Sequence, residues 1–274
     1  MDTFIHIIVV LCFLIHSIQG IPLQNNFNEK NIETQIKKNV SSSKPLENLD
    51  LFQGDIRFPS RPLGLTSREN KIIKTMYATS FDSFLWPKGI VYYENLIEDD
   101  YLLDLLDIAM TVIERKTCVK FIEKDSSTQD YVQLVSLNGC WSFVGRVGGP
   151  QQLSLGIECD NINLMMHELM HALGFYHKHS QHDRDKYLKI HWENIVPEAK
   201  SQFQVLSKYM TRTFSLTKFD YMSVMLYGPR LFSKNSMMIT MSRRDGGKLL
   251  DVEEKPGLST QDIFAINSLY KCSL

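Results

Sequence analysis

Apolar and polar residues follow two different periods between residues 89 and 156. A helical period runs from Ile97 to Lys116, and its buried side is predicted to carry the apolar residues Leu102, Leu103, Leu105, Leu106, Ala109, Met110 and Ile113. Four shorter stretches are typical of strands: 89–93, 118–122, 131–135 and 151–156. This part of the chain therefore predicts several strands together with one long helix.

Helix signals continue in the second half of the chain. Asp160 or Asn161 is a suitable N-cap for a helix that begins directly after them. Ser259 and Asp262 form a capping box ahead of an apolar run, which predicts a final helix. Between these two helices the pattern is weaker, with helical stretches only within residues 187–206.

The N-terminal part of the chain differs in composition from the rest. Residues 3–19 contain an apolar segment that is too short to span a bilayer comfortably, and Gly20 follows at a suitable cleavage point. We interpret this region as a secretory signal peptide, with a membrane anchor as the alternative. Residues 21–50 are polar and poor in aromatic residues, as expected of a weakly structured leader.

The overall composition limits the partners that the chain can have. Hydrophobic residues make up 43% of the 274 residues, which is enough apolar material for a globular core. The formal net charge of −1 gives no electrostatic reason for binding to nucleic acid or to an anionic membrane. We therefore expect no nucleic-acid partner and no stable membrane association.

One run of residues carries the main candidate chemistry. His167 and His171 are four residues apart, so on a helix they lie on one face and can bind one Zn²⁺ ion. Gly174 supplies the left-handed residue that ends the helix and allows His177 to return to the same ion as a third ligand. Glu168 then lies beside the metal as a proton acceptor for bound water. Three protein ligands leave one position open, which is typical of catalytic zinc sites.

The alternative for this run is an amphipathic helix that carries the histidines by chance and packs them in a core. The offsets of Gly174 and His177 argue against it, because they complete the HExxHxxGxxH spacing of metzincins. Residues 175–179, 183–185 and 223–228 extend the similarity. On these residues the chain resembles the astacin family of zinc endopeptidases, over essentially everything after the first twenty residues.

The resemblance implies an α+β fold of the metzincin type. An N-terminal subdomain would hold a twisted mixed β-sheet and two long helices, one of them the zinc helix. A mostly irregular C-terminal subdomain would end in a helix, with the cleft between the two. Residues 140–150 would form the upper rim of that cleft as an exposed edge strand that pairs with an extended substrate. An edge strand without any partner is the alternative.

Three further residues acquire a role only from the resemblance. Met225 would be the Met-turn residue beneath the three imidazoles, and Tyr227 would approach the zinc and stabilise the oxyanion during attack. Asp55, in the segment Phe52–Ile56, would take the place of water on zinc and keep a zymogen latent, with Gly54 letting the backbone pass close to the cleft. The alternatives are an ordinary core methionine and an ordinary turn.

The cysteines agree with export from the cell. Cys12 lies in the signal segment, so Cys118, Cys140, Cys159 and Cys272 remain, and four cysteines allow three pairings. The resemblance selects Cys118 with Cys272 and Cys140 with Cys159. Free buried thiols are the alternative, which an oxidising compartment disfavours.

We divide the chain into a signal peptide (1–20), a propeptide (21–76) and a catalytic domain (77–274), which is a minimal architecture for the family. An activating protease would cut within residues 68–83, where basic residues offer trypsin-like sites, although none directly precedes the expected boundary. Asn39 begins an Asn-Val-Ser triplet, which predicts N-glycosylation.

Two residues depart from the family pattern. Lys178 stands where a glutamate would hold the ammonium of the mature N-terminus, and a lysine cannot do so because two cations repel each other. Gln181 stands where an arginine is common. Arg243 or Arg244 falls where the S1′ pocket is lined and would favour an acidic residue after the cut, while two solvated loop arginines are the alternative.

The predicted function is hydrolysis of proteins or peptides by a secreted, monomeric zinc endopeptidase made as a zymogen, with one Zn²⁺ per chain. Glu168 would deprotonate the water and later return the proton to the leaving amine. Because Lys178 and Gln181 depart from the pattern, a secreted binding protein that has lost turnover is the alternative. A purely structural zinc domain is a second alternative, which the open ligand position disfavours.

Overall fold

The computed structural model describes residues 46–59, 82–156, 158–206, 213 and 216–273, which all belong to the compact unit Asn39–Leu274. The predicted signal peptide, Asn39 and most of the predicted cleavage region lie outside the described residues. The strands are β1 (Ile56–Arg57), β2 (Ile90–Asn95), β3 (Lys120–Glu123), β4 (Tyr131–Val135), β5 (Cys140–Phe143), β6 (Pro150–Leu155), β7 (Leu188–Ile190) and β8 (Met241–Arg243). The α-helices are α1 (Asp100–Lys116), α2 (Ile162–Ala172) and α3 (Thr260–Leu269). Short 3₁₀ helices cover Asp82–Phe84, Pro87–Gly89, Lys178–Ser180, Arg184–Lys186, Trp192–Asn194, Pro197–Phe203 and Val252–Glu254.

Six strands form one mixed sheet in the order β1-β5-β6-β4-β2-β3. Neighbouring strands are parallel except β5 and β6, which are antiparallel. Apolar residues of the central strands are buried in the same core as the apolar side of α1, among them Val91, Val132, Leu134, Leu153 and Leu155. Strands β7 and β8 form a separate antiparallel pair. The sheet and its covering helices thus make a two-layer core in the N-terminal half of the domain.

Helix α1 begins three residues later than the apolar period predicts. The side chain of Asp99 accepts hydrogen bonds from the N–H groups of Tyr101 and Leu102, so the N-cap lies there and Ile97 is outside the helix. Six of the seven predicted apolar residues are buried, and Leu103 is half-buried against them. No helix in the described part of the chain, α1 included, is long and apolar enough to cross a membrane.

Helix α2 carries the histidine motif and is buried almost throughout. Asn161, one of the two predicted N-caps, accepts hydrogen bonds with its side chain from the backbone N–H groups two and three residues later. The helix ends at Ala172, and Gly174 has a φ of +108°, the left-handed conformation expected of it. Phe175 N then donates to Met170 O, so the chain leaves the helix in a tight turn.

The region after α2 has little regular structure, as expected. Its last helix, α3, begins with the predicted capping box, in which Ser259 Oγ accepts from Asp262 N and the Asp262 carboxylate accepts from Ser259 N. Disulfide bonds join Cys118 to Cys272 and Cys140 to Cys159, the pairing that the resemblance implies. The first ties the end of the chain to the start of β3, and the second ties β5 to the approach to α2.

The strand predicted to be an exposed edge is not exposed. Ile56 and Arg57 form β1, which pairs in parallel with β5 opposite Ser142 and Phe143. Part of this edge is covered because β5 offers backbone groups that an added strand can bind, and a segment of the predicted propeptide binds them. The pairing of the edge with a substrate stays a prediction.

Candidate metal centre

Three histidines converge at the end of helix α2. His167 and His171 lie on one face of the helix, and the turn at Gly174 brings His177 back towards them. Their Nε2 atoms lie 3.0–3.1 Å from one another, and all three rings are fully buried. The structure thus brings together the three ligands that the sequence predicts.

The other nitrogen of each ring has a partner of its own. Nδ1 lies 2.7 Å from Val224 O in the first histidine, 2.7 Å from Phe175 O in the second and 2.8 Å from Gln53 Oε1 in the third. Since all three partners are acceptors, each Nδ1 donates its hydrogen and each Nε2 keeps a free lone pair. Three lone pairs directed at one position repel one another unless a cation lies between them.

Asp55 of the predicted propeptide completes the cluster. Its Oδ2 lies 3.0 Å from His167 Nε2 and 3.1 Å from His177 Nε2, and its Oδ1 lies 3.5 Å from His171 Nε2. The carboxyl group is fully buried. The four residues each offer one ligand atom, and these atoms lie within 4.8 Å of one another.

This donor set fits a zinc ion. A tetrahedral site with bonds of about 2.0–2.1 Å places its ligand atoms about 3.3–3.4 Å apart, close to the 3.0–3.5 Å observed between the histidine nitrogens and the carboxylate oxygens. Neutral imidazoles and a carboxylate are ordinary zinc ligands. Asp55 thus offers a fourth ligand atom beside the three histidines, and its predicted binding to zinc stays a prediction.

Glu168 follows the first ligand on the same helix and is fully buried. Neither of its carboxylate oxygens has a hydrogen-bond partner within the part of the chain that the structure describes. Burial, together with the nearby Asp55 carboxylate, raises the pKa of Glu168 well above its usual range. A carboxyl group of this kind can accept and return a proton near neutral pH.

Tyr227 contacts both the histidines and the propeptide segment. Its ring centroid lies 4.3 Å from that of His177, and its hydroxyl oxygen lies 2.5 Å from Asp55 Oδ2 and 2.9 Å from Gln53 O. Burial, followed by the Asp55 carboxylate, raises the pKa of Tyr227 well above its usual range, so the hydroxyl keeps its proton. Tyr227 therefore donates to the Asp55 carboxylate, and its predicted role towards an oxyanion stays a prediction.

Met225 is buried in a turn whose backbone supports two of the ligands. Val224 O, one residue earlier, accepts from His167 Nδ1, and Met225 O accepts from the backbone N–H of Lys178, next to His177. The turn thus fixes the ring of the first ligand and the backbone beside the third. A role of Met225 as an apolar floor beneath the imidazoles stays a prediction.

A buried lysine holds this turn in place. Lys255 Nζ donates to Ser223 O at 2.5 Å and to Leu226 O, and the Asp262 carboxylate accepts from Ser223 Oγ and Val224 N. Lys255 is 1% exposed, and burial lowers its pKa to about 8. Nothing in the sequence marks Lys255, because its partners are backbone carbonyls of a distant turn.

The two residues that depart from the family pattern are both buried. Lys178 Nζ donates to Thr217 Oγ1 at 3.0 Å, and burial lowers its pKa, an effect that the Asp262 carboxylate opposes. Gln181 Nε2 donates to Asp183 Oδ1 at 2.8 Å. Each of the two side chains thus has a partner of its own within the domain.

Arg243 and Arg244 lie at the end of strand β8 and directly after it. The Arg243 guanidinium stacks 3.9 Å from the centre of the Tyr221 ring and makes two hydrogen bonds to the Asp245 carboxylate. Arg244 Nε donates to Asp185 O at 2.6 Å. The charge of Arg243 is therefore already compensated, and a role of either arginine in an S1′ pocket stays a prediction.

Two glutamines support the cluster without any signal in the sequence. Gln53 Oε1 accepts from His177 Nδ1, and Gln53 N donates to Gln202 Oε1 at 2.6 Å. These two positions are 149 residues apart; Gln53 lies in the segment Phe52–Ile56 but has no predicted role there, and Gln202 lies in no motif. His179, which has no predicted role, stacks on both His177 and Tyr227 with centroid distances of 5.2 and 5.1 Å.

Comparison with known proteins decides the family. The model of the Astacin peptidase family matches residues 78–271, which is more than half of the chain. The chain belongs to the astacin family. The match includes all three zinc-site histidines and Glu168.

Individual astacin-family relatives agree with this assignment. Zinc metalloproteinase nas-6 from Caenorhabditis elegans is 34% identical over 235 residues, which cover 82% of this chain and 64% of that protein. Astacin-like metalloprotease toxin 1 from Loxosceles intermedia is 37% identical over 238 residues, which cover 85% of this chain and 86% of that protein. The chain thus spans less than two thirds of the first relative and most of the second.

A solved structure is similar in fold. High choriolytic enzyme 1, a hatching enzyme zinc-protease from Oryzias latipes (Medaka fish), matches with a TM-score of 0.62 and 29% identity, over 78% of this chain and 100% of that chain. The predicted α+β metzincin fold is therefore confirmed: a mixed sheet with helices, then an irregular region that ends in a helix.

Proposed function

We propose that this astacin-family chain is a zinc-dependent endopeptidase that is secreted and made as a zymogen. The observation that supports it most is the convergence of three histidine Nε2 atoms next to Glu168, with Asp55 as the fourth donor. A structural zinc site would use four permanent protein ligands. Here the fourth donor comes from a segment of the predicted propeptide, so cleavage can remove it.

The chemistry follows from the groups around the cluster. Zinc held by the three histidines would lower the pKa of a water molecule to near neutral and polarise the peptide carbonyl. Glu168, buried directly after the first ligand, takes a proton from the attacking water and passes it to the leaving amine. Tyr227 keeps its hydroxyl proton and donates a hydrogen bond to the oxyanion that develops on the carbonyl.

Latency is proposed to depend on Asp55. Its carboxylate contacts the Nε2 atoms of all three histidines and accepts from Tyr227, which leaves no ligand position for water or substrate. Strand β1 covers the edge of β5 at the same time. A cut by an activating protease within residues 68–83 would allow Asp55 and strand β1 to leave the metal centre and the β5 edge together.

Proteins or peptides are the proposed substrates, because the edge of β5 binds extended main chain. Secretion is supported by the two disulfide bonds, which persist in oxidising compartments. The proposed signal peptide (1–20) and the proposed glycosylation of Asn39 are also typical of secreted proteins.

The alternative function is a secreted binding protein without turnover, which Lys178 and Gln181 prompted. Both side chains have partners within the domain, and the ligands and Glu168 are all present. The enzyme is therefore the better supported of the two functions.

Hydrolysis of a denatured protein by the full chain after proteolytic activation tests this proposal. Turnover should disappear with a zinc chelator, return when zinc is added, and be absent in Glu168→Ala, which removes the proton acceptor but no ligand. The exposed Glu193→Ala is the matched control and should keep full activity. Zinc binding without turnover in the activated parent would favour the binding protein instead.

A further inference from the structure

The segment Phe52–Ile56 of the predicted propeptide is a tight turn. Its first and last residues exchange two backbone hydrogen bonds of 2.9 and 3.0 Å, and Gln53 has a φ of +54°. The turn brings two of its side chains to one imidazole ring. Gln53 Oε1 lies 2.8 Å from His177 Nδ1, and Asp55 Oδ2 lies 3.1 Å from His177 Nε2. One turn thus contacts both nitrogens of the third histidine.

His177 differs from the other two histidines in the source of its Nδ1 partner. His167 and His171 donate to backbone carbonyls of the predicted catalytic domain, Val224 O and Phe175 O. His177 instead donates to a side chain of the predicted propeptide. Removal of the segment would therefore take the acceptor from one ring and leave the acceptors of the other two in place.

The Gln53 side chain occupies its place at a cost in free energy. It is fully buried, and its Nε2 has no hydrogen-bond partner among the residues that the structure describes. A buried unpaired N–H group is costly, and a left-handed φ strains any residue other than glycine. An apolar side chain would avoid the first cost and glycine would avoid both, but neither could accept from His177 Nδ1. The contact with the ring is therefore what the glutamine supplies at this position.

Backbone groups hold Gln53 in place independently of this contact. Gln53 N donates to Gln202 Oε1 at 2.6 Å, and Gln53 O accepts from the Tyr227 hydroxyl at 2.9 Å. Gln202 Nε2 also donates to Leu51 O at 3.0 Å. None of these bonds uses the Gln53 side chain, so a substitution can remove the acceptor and keep the bonds that hold the turn.

We propose that Gln53 is a positioning residue for the third zinc ligand, so that the latent chain holds zinc more tightly than the activated chain does. This inference rests on the proposed zinc peptidase and adds metal retention to the role of the propeptide. An acceptor at Nδ1 fixes the tautomer and orientation of a ligating imidazole and raises its basicity. The activated chain would keep this support on His167 and His171 and lose it on His177.

A first test observes the imidazole N–H protons of the zinc-loaded, uncleaved chain by nuclear magnetic resonance. In the parent, all three ligand rings should give Nδ1–H signals protected from exchange with water. In Gln53→Leu, one signal should move upfield or disappear, while those of His167 and His171 stay unchanged because their acceptors are untouched. Gln53→Glu keeps an acceptor and should keep all three. Three unchanged signals in Gln53→Leu would overturn the inference.

A second test measures zinc affinity by competition with a chelator, without substrate. In the uncleaved chain, Gln53→Leu should weaken zinc binding about 10–100-fold, the usual effect of removing the hydrogen-bond partner of a ligand. Gln53→Glu should keep most of the affinity, and the exposed Gln204→Leu is the matched control that should change nothing. Equal affinities in the parent and Gln53→Leu, or equal losses in Gln53→Leu and Gln53→Glu, would overturn the inference.

A merely structural role of Gln53 predicts a different result. Leucine removes the unpaired Nε2, so it would tighten the turn and its hold on Asp55. With excess zinc present, the uncleaved Gln53→Leu chain should therefore stay as latent as the parent although its zinc affinity is lower. A Gln53→Leu chain that loses both latency and zinc affinity would show that the turn is released, which would overturn the positioning role.

Limited proteolysis gives a third test, because it removes the segment itself. The activated parent should bind zinc at least as weakly as the uncleaved Gln53→Leu chain, since it lacks Asp55 as well as Gln53. An activated parent with the zinc affinity of the uncleaved parent would overturn the inference.

The two proposals can fail separately. If Gln53→Leu weakens zinc binding but the activated parent cleaves no peptide, the peptidase function is wrong and the positioning role stands. If the activated parent cleaves peptides and Gln53→Leu changes neither the ring signals nor the zinc affinity, the positioning role is wrong and the peptidase function stands.

Discussion

One carboxylate, that of Asp55, is proposed to determine whether the fourth ligand position is available. Asp55 is fully buried and contacts all three histidine Nε2 atoms as well as the Tyr227 hydroxyl. Burial by itself would raise the pKa of Asp55, but His177 and His171 outweigh it and hold the pKa well below its usual range. The group therefore stays ionised, which is the form that binds a metal.

Removal of this carboxylate should weaken latency. We expect Asp55→Ala to raise the peptidase activity of the uncleaved full-length chain by about tenfold or more, because hydrogen bonds to a charged group contribute about 1.5–3 kcal/mol each. The exposed Asp50→Ala is the control and should leave the chain latent. A peptidase assay on both uncleaved variants checks this. An Asp55→Ala chain that stays as silent as the parent would contradict the proposed switch.

Lys255 should make stability depend on pH. Its folded pKa of about 8 is below the ordinary value of 10.5, so between these values the native state holds fewer protons than the unfolded chain, and its contribution to stability rises with pH. Relative to Lys255→Met, the parent should therefore gain about 2–3 kcal/mol between pH 7 and pH 10. Unfolding free energies of both chains at the two pH values give the difference. A constant difference would show that Lys255 titrates as a solvated lysine.

At the scale of elements, structure with local signals could be predicted and pairing between distant segments could not. Helix α2 begins at the predicted cap Asn161 and turns at Gly174, because both effects act within a few residues. Strand β1 has only two residues and shows no alternation to recognise, so its pairing with β5 could not be predicted. For that reason the sequence predicted an exposed edge at β5, whereas in the structure β1 covers this edge.

The disulfide between Cys118 and Cys272 should contribute strongly to stability. It joins residues 154 positions apart, and closure of so long a loop restricts the unfolded chain. We expect replacement of both cysteines by alanine to lower the free energy of unfolding by about 4–5 kcal/mol on the chain-entropy model. Denaturant unfolding of the parent and the double variant provides the measurement. A loss below about 1 kcal/mol would contradict this account of the bond.

Across the whole molecule, the metal centre follows from one short motif, whereas the contacts that support it do not. The three histidines lie between residues 167 and 177, so their spacing alone predicts a common ion. Gln202 and Lys255 bind backbone groups that are distant in the sequence, and Gln53 lies 124 positions from its partner His177. A contact with a backbone group does not depend on which residue carries that group. Such contacts therefore cannot be predicted from the residue pattern and are seen only in the folded chain.

The metal content of the purified full-length chain tests the central claim most directly. We predict one zinc ion per chain by elemental analysis, lost in His177→Ala and retained in His182→Ala, whose side chain is exposed and lies outside the cluster. A parent chain without stoichiometric transition metal, or a His177→Ala chain with as much zinc as the parent, would contradict a site held by His167, His171 and His177.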